Sequence, residues 1–434
     1  MSMDRREFLK LSSIGVGAAV LAPSELGASS PETAPTKLKS TGSIREKARK
    51  ISVVDSADVL VVGGGPAGFA AAVSAARNGA DVMMLDRQYF LGGLFTGCGV
   101  TPIINMFSPV RDGRVQAVSG IASELCARLD AVGALSLEKV RPKVDPEAAK
   151  YFMEEIVSEA GVRILYGVQA AQVVMSGNRI THVIIEGKSG RVAIAAKFVI
   201  DCTGDGDILE WTGEDFQVYL DNIGAMWRIG NAENGKGSET CYKGVRTRHT
   251  VGEKSQDGLD MYNLTRMQIA LRKKMWEDAQ EQRKKPGCGD LFLLDTPSVV
   301  GVRVTRVLNS VGNVTLEGAM SKRVYPDAIG YAGADSRIKY NGVRYAAVDR
   351  PVWQVPYSAI TPKKVANLLV AGRCFGFERP LTYDAREIGT CLMTGQAAGA
   401  ASAIAVASRC SCREVDIDRL QRALTEGNAI IKGL

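Results

Sequence analysis

A four-residue apolar run, Val59-Leu60-Val61-Val62, leads straight into Gly63-Gly64-Gly65-Pro66-Ala67-Gly68, and this junction limits the possible folds more than any other feature of the chain. A short continuous apolar run is the pattern of a strand buried on both faces of a parallel sheet. The glycines stand at the G-x-G-x-x-G spacing, and Phe69 to Asn78 continues as an Ala-rich helix stopped by Gly79. Gly63 permits the tight turn, Gly65 removes the side chain that would block a pyrophosphate, and Gly68 lets helix and strand pack closely. Pro66 and Ala67 complete the set, at a helix N-terminus whose unpaired N–H groups and positive dipole end favour phosphate. A second strand, Asp81 to Leu85, ends in Asp86, 18 residues beyond Gly68, near the spacing at which an acid hydrogen-bonds a ribose hydroxyl; Arg87 adjoins it. Such a unit holds either a nicotinamide or a flavin dinucleotide.

Later segments repeat the theme of a strand running into glycine. Phe90 to Gly99 contains Gly92, Gly93 and Thr96, a glycine-rich stretch that lets backbone lie close to an extended dinucleotide. Val199-Ile200-Asp201-Cys202-Thr203-Gly204-Asp205-Gly206-Asp207 is another apolar strand entering Gly and Asp. Asn367-Leu368-Leu369-Val370-Ala371-Gly372-Arg373 is a third, leading to Gly389 through Gly399, whose small residues suit a helix packed tightly beneath a ligand.

The 434 residues, 46% hydrophobic and 23% charged, belong to a globular chain of about two or three domains. Lys plus Arg is 54 and Asp plus Glu is 47, and the resulting +7 is spread without a basic block, so nucleic acid is not implied. Only His182 and His249 are available for imidazole chemistry, and both read as structural or surface residues. The 9 cysteines include no C-x-x-C pair, so neither a zinc ribbon nor thioredoxin chemistry has a signature.

Arg5-Arg6-Glu7-Phe8-Leu9-Lys10 precedes an apolar stretch from Leu11 to Ala22, which is too short for a stable membrane span. It resembles a twin-arginine signal, with Asp4 where Ser or Thr is usual. Residues 1–28 are therefore read as that signal, addressed to the twin-arginine translocation machinery and to a periplasmic or extracellular destination, and 29–50 as a polar linker.

Taken with the Gly63–Gly68 fingerprint, Asp86, Gly92-Gly93-x-x-Thr96 and Thr203-Gly204-Asp205-Gly206-Asp207, the Leu368-to-Gly399 terminus resembles the FAD-dependent oxidoreductase family of glutathione-reductase-like flavoproteins, whose bacterial members include some labelled xanthan lyases. Gly301-Val302-Arg303-Val304-Thr305-Arg306 is similar to a family pattern that usually reads Gly-x-Arg-Glu-Ser-Arg, so the glutamate of that pattern is absent. The resemblance implies an α/β fold: a Rossmann-like FAD-binding domain in two parts, 51–210 and 361–434, with an inserted antiparallel α+β substrate or cap domain at 211–360. It also implies FAD, expected to be noncovalent, with Gly63, Gly65 and Gly68 at the pyrophosphate, Asp86 at the adenosine ribose and Asp205 at the ribityl side or a nearby hydroxyl. A helix starting around Met393, Thr394 and Gly395 would aim its N–H groups at the flavin.

Within the insertion, Met267, Leu271 and Met275 recur every four residues, as on the buried face of a helix near Thr265 to Lys285. Val352 to Tyr357 is expected to return the chain toward the flavin. Candidate catalytic residues are Arg373, Arg386, Tyr357 and Cys98, with Arg303 and Arg306 as further carboxylate clamps, Tyr383 as a proton donor and Cys374 near the flavin. No second G-x-G-x-x-G follows a strand, so electrons are not expected to come from NAD(P)H; with export, the expected counterpart is a quinone, a cytochrome or another acceptor, and the partner in chemistry is a small-molecule substrate. The alternative is a non-catalytic flavoprotein that carries electrons.

Overall fold

The computed structural model describes residues 42–138, 141–333 and 338–434. The expected signal and most of the expected linker lie outside the described residues. The first apolar run is the second half of a strand, Val53–Val62, which starts earlier than hydropathy indicates. Its first residues, Val53 to Ser56, are mostly exposed, yet they pair in parallel with Ala193–Ala195, so hydrogen bonding extends the strand where burial does not.

A seven-stranded sheet organises the chain. Its order is Arg163–Tyr166, Val82–Asp86, Val53–Val62, Gly190–Asp201, Arg179–Gly187 and Gln169–Ser176, with Leu368–Val370 added beside Gly190–Asp201. The strand Gly190–Asp201 serves two neighbours in succession. Its first half pairs antiparallel with Arg179–Gly187 and its last residues pair in parallel with Leu368–Val370.

Two helices lie against each other beside this sheet. Pro66–Arg77 opens with Pro66 in its first turn, where the missing N–H costs nothing, and Ala67 through Ala75 are all buried. Ile388–Ser408 is buried along Ile388–Ala405. It is long and apolar enough to cross a membrane by length and composition, but it is a core helix here. The two helices touch backbone to backbone: a Cβ added at Gly395 would stand 2.1 Å from the Ala67 carbonyl oxygen, and one at Gly399 would stand 2.2 Å from that of Ala71. The C-terminal helix begins at Ile388, which corrects the expected start around Met393.

The segment 211–360 divides between two cores. An antiparallel sheet of Ser238–Glu239, Arg246–Val251, Gly224–Gly230 and Phe292–Asp295 is covered on one face by the helix Met261–Arg283. There Met267, Leu271 and Met275 pack with Ile223, Ala225, Trp227 and Ile229. Residues nearer the C-terminal end, including Ile329, Tyr331, Trp353 and Val355, belong instead to the principal core with both glycine-contacting helices. The other face of the antiparallel sheet carries Met226, whose N–H donates to the Cys98 carbonyl at 3.3 Å. His249 stands directly opposite Met226 across the strands, and so on the same face.

Candidate functional site

Register decides where the glycine turns meet. Val62 is opposite Leu85 and Asp201, and Asp201 is opposite Val370, so three strands end abreast. The turns that follow converge at the carboxyl edge of the sheet, where open α/β sheets take ligands. A cleft lies there.

Gly63, Gly65, Pro66, Ala67, Asp86, Arg87, Gly93, Gly204 and Gly372 all line this cleft, with Gly93 packed close to Gly65 and Gly372 close to Ala67. A Cβ at Gly65 would meet nothing within 4 Å, so any side chain there would project into ligand space. Gly63, at φ +104°, has no room for a Cβ, which would fall 2.4 Å from the Cys202 carbonyl oxygen. Gly68 lies behind the cleft, its absent Cβ 1.7 Å from the Gly63 carbonyl oxygen, so it sets how tightly the helix seats on the turn. No side chain caps the N-terminus of Pro66–Arg77, which leaves its first N–H groups for a ligand.

Asp86 shapes the turn as well as ending the strand. Its Oδ2 accepts from the Gly64 N–H at 2.5 Å and its Oδ1 from the Gln88 N–H at 2.6 Å. Burial raises its pKa while these two bonds pull the other way. Each carboxylate oxygen keeps a further lone pair for a ribose hydroxyl. Gly92 and Thr96 do not line the cleft. The Thr96 hydroxyl donates to the Leu91 carbonyl at 2.5 Å and occupies the space a Gly92 Cβ would need, so the pair fixes the turn that presents Gly93.

Four expected contacts are placed elsewhere. The Asp205 carboxylate turns from the cleft to accept from the Thr305 hydroxyl at 3.0 Å and from Arg373 at 3.2 Å, which corrects its expected place at the ribityl chain. Thr305, standing where the family pattern has serine, thus has a role in holding this loop. Met393, Thr394 and Gly395 are buried behind the lining: Met393 fills the space beside Gly330, Thr394 receives the Gly372 N–H at 3.1 Å, and Gly395 meets Ala67. The end of that helix that reaches the cleft is Glu387, Ile388 and Cys391.

Among the catalytic candidates, Arg373 and Arg386 line the cleft. Tyr357 does not. It is buried, its hydroxyl donates to the Cys412 carbonyl at 2.7 Å, and burial pushes its pKa well up, so its expected proton-transfer role is corrected to a structural one. Cys98 is also buried, packed against Gly224 and Gly301, and burial pushes its thiol up to about 11. It is a neutral packing residue. Cys374 is likewise fully buried and its thiol pushed up.

Sequence reasoning passed over Gln88, Phe95, Val299 and Cys391, all of which line the cleft. Gln88 follows the quoted Asp86-Arg87, and Cys391 falls within the quoted small-residue run, so adjacency was a usable signal for both. Val299 comes from a distant loop and had none. The arrangement fits an extended dinucleotide: an open glycine position at a bare helix N-terminus, a buried acid one strand away, and glycines on the adjoining turns.

The family model for FAD dependent oxidoreductases matches residues 58–241 and 221–424. A thiamine thiazole synthase of Methanococcus aeolicus is 27% identical over 191 residues, which is 41% of this chain and 67% of that protein. A menaquinone reductase of Mycobacterium tuberculosis is 56% identical over 52 residues, so the matched part spans 12% of this chain and 13% of the reductase. Among solved structures, a geranylgeranyl bacteriochlorophyll reductase-like protein from Thermoplasma acidophilum is similar at 15% identity, covering 86% of this chain and 82% of that one with a TM-score of 0.45. CabE, an aromatic hydroxylase from angucycline biosynthesis, is similar at 15% identity and a TM-score of 0.46, covering 86% and 66% respectively.

Proposed function

This chain belongs to the FAD-dependent oxidoreductase family, and on that footing we propose that it moves hydride between a small organic substrate and FAD and delivers the electrons to a non-nicotinamide acceptor. The observation that carries this reading is the alignment of Val62, Asp201 and Val370 at one sheet edge, each followed by a glycine turn onto one cleft. The chemistry FAD supplies when bound is acceptance and return of hydride.

The protein's own contribution is placement and charge. The helix N-terminus behind Gly65 takes the pyrophosphate, and Asp86 takes the ribose. The N-terminus of Ile388–Ser408 lies at the cleft, where its dipole favours negative charge and its N-cap residue Glu387 is paired with Arg386 at 3.0 Å. Arg373, held by Asp205 and by the Val302 carbonyl, fixes a cation at the wall.

A quinone or a cytochrome is the acceptor in this reading, supported by a single dinucleotide fingerprint in the chain and by the Arg5-Arg6-x-Phe8-Leu9-Lys10 pattern, which favours twin-arginine export to the periplasm or beyond. The test is anaerobic mixing of the yellow protein with hydroxy acids, sugars and NADH in turn. Bleaching by one organic class and not by NADH is expected. Bleaching by NADH alone would overturn the acceptor, and no bleaching by any donor would leave an electron carrier.

A further inference from the structure

Of Arg303, Arg306, Arg373 and Arg386, the last two line the cleft, and among the described residues two of the four donate guanidinium hydrogen bonds and two do not. Arg306 donates to the Asp205 carbonyl and reaches Asp207 and Glu210. Arg373 donates to the Val302 carbonyl at 2.7 Å and to Asp205 at 3.2 Å. Arg303 and Arg386 are different. Among the described residues neither guanidinium donates a hydrogen bond: the carboxylate nearest Arg303 is Asp221 at 4.0 Å, and Arg386 lies 3.0 Å from Glu387 with its Nε buried and without a partner.

These two cations share a platform. The guanidinium carbons stand 5.9 Å and 5.2 Å from the centroid of the Tyr383 ring, and the Tyr383 hydroxyl donates to Asp221 at 3.3 Å. Their side chains are only 16% and 18% exposed, so water supplies little of what the protein withholds. Each guanidinium offers five N–H donors in a flat fork, and leaving such donors unmade in a desolvated site is unfavourable. Arg386 lines the cleft itself, which puts the unfilled donors beside the proposed reaction site. His249, from the antiparallel sheet, feels both arginines: burial first and then Arg303 and Arg386 lower its pKa, so it adds no cation near neutral pH.

We infer that Arg303 and Arg386, stacked about Tyr383, clamp a carboxylate, so that the substrate is a small monocarboxylic acid. This rests on the oxidoreductase reading above, whose substrate class it specifies. A planar carboxylate matches the guanidinium fork bidentately. Asp221 and Glu387 beside the two guanidinia leave no surplus of positive charge, which disfavours a phosphate dianion; a carboxylate is held by the unfilled N–H donors of the forks rather than by net charge.

The experiment is isothermal titration of the holoprotein with acetate, propionate and benzoate, each against its neutral amide, with flavin content per chain measured first. Carboxylates are expected to bind and to perturb the flavin absorbance, and the amides to do neither. Arg303→Ala and Arg386→Ala should each weaken carboxylate binding about 100-fold, from loss of charged hydrogen bonds. Arg303→Lys and Arg386→Lys should recover part of it, and Arg272→Ala on the outlying helix should change nothing. Equal binding of acids and amides, or no binding of any acid to flavin-replete protein, overturns the clamp. A protein without flavin would sink the oxidoreductase reading separately, while the acid-against-amide heats would still decide the clamp, including where an alanine variant fails to fold.

Discussion

Replacing Gly395 by alanine asks whether the contact between the two buried helices holds the cofactor site in place. The new Cβ would stand 2.1 Å from the Ala67 carbonyl oxygen and 2.8 Å from its carbonyl carbon, and ordinary contact begins at 3.4 Å, so the helices must part by about 1.3 Å. The obstruction is backbone, so no rotamer relieves it. Overpacking of this kind costs about 3 kcal/mol at the upper end of its usual range, and alanine's better helix propensity returns about 1 kcal/mol, leaving about 2 kcal/mol of net destabilisation. Ala67 lines the cleft, so the displacement falls on the part of it proposed above for the pyrophosphate. Thermal melting and FAD content per chain give the readout: Gly395→Ala should melt a few degrees lower and lose flavin. Gly399→Ala meets the Ala71 carbonyl oxygen at 2.2 Å one turn farther along, away from the cleft, and should match the melting loss while keeping more flavin. Gly289→Ala, with nothing within 4 Å of its Cβ, is the control. A Gly395→Ala protein that melts with the wild type and carries full FAD, or a Gly399→Ala protein that loses more flavin than Gly395→Ala, would show that the helix contact does not hold the cofactor site in place.

Gly65→Glu places a carboxylate in open cleft space where phosphate belongs, so purified protein should be colourless with the melting point of the flavin-free wild type; retained FAD would count against the site. Tyr357→Phe leaves the Cys412 carbonyl without its donor, costing about 1–2 kcal/mol in melting or denaturant titration, and should leave the rate of flavin reduction unchanged. Asp207 is pushed up to about 6, first by burial and then by Asp205 and Asp201. An acid whose folded pKa lies above its unfolded value of 3.8 holds its proton more tightly in the fold, so its contribution to stability falls as pH rises from that value through about 6 and is level on either side. Asp207→Asn should remove that fall, so its Tm relative to wild type should climb across the window, and parallel Tm curves would show that the group is not strained.

The local chain specified the units of this protein. A buried strand, a turn that only glycine can make and a helix begun by proline all act within a few residues, so Val59 to Asn78 declares itself, as do Asp86 and the small residues from Gly389 to Gly399. Reading stopped where pairing takes over. Val53–Ser56 extends the first strand through hydrogen bonds to residues 193–195, which hydropathy does not register. Asp205 and Tyr357 looked like ligand contacts because their types suit the task, but Thr305, Arg373 and the Cys412 carbonyl claim them across 100, 168 and 55 residues of chain. Arg303, Arg306, Arg373 and Arg386 are equivalent as letters. Only the fold gives Arg306 and Arg373 their partners and leaves the forks of Arg303 and Arg386 about Tyr383 without hydrogen bonds among the described residues. Local propensity depends on neighbours in the chain, whereas the free donor capacity of a buried cation depends on which distant groups arrive beside it, and that is a property of the tertiary structure.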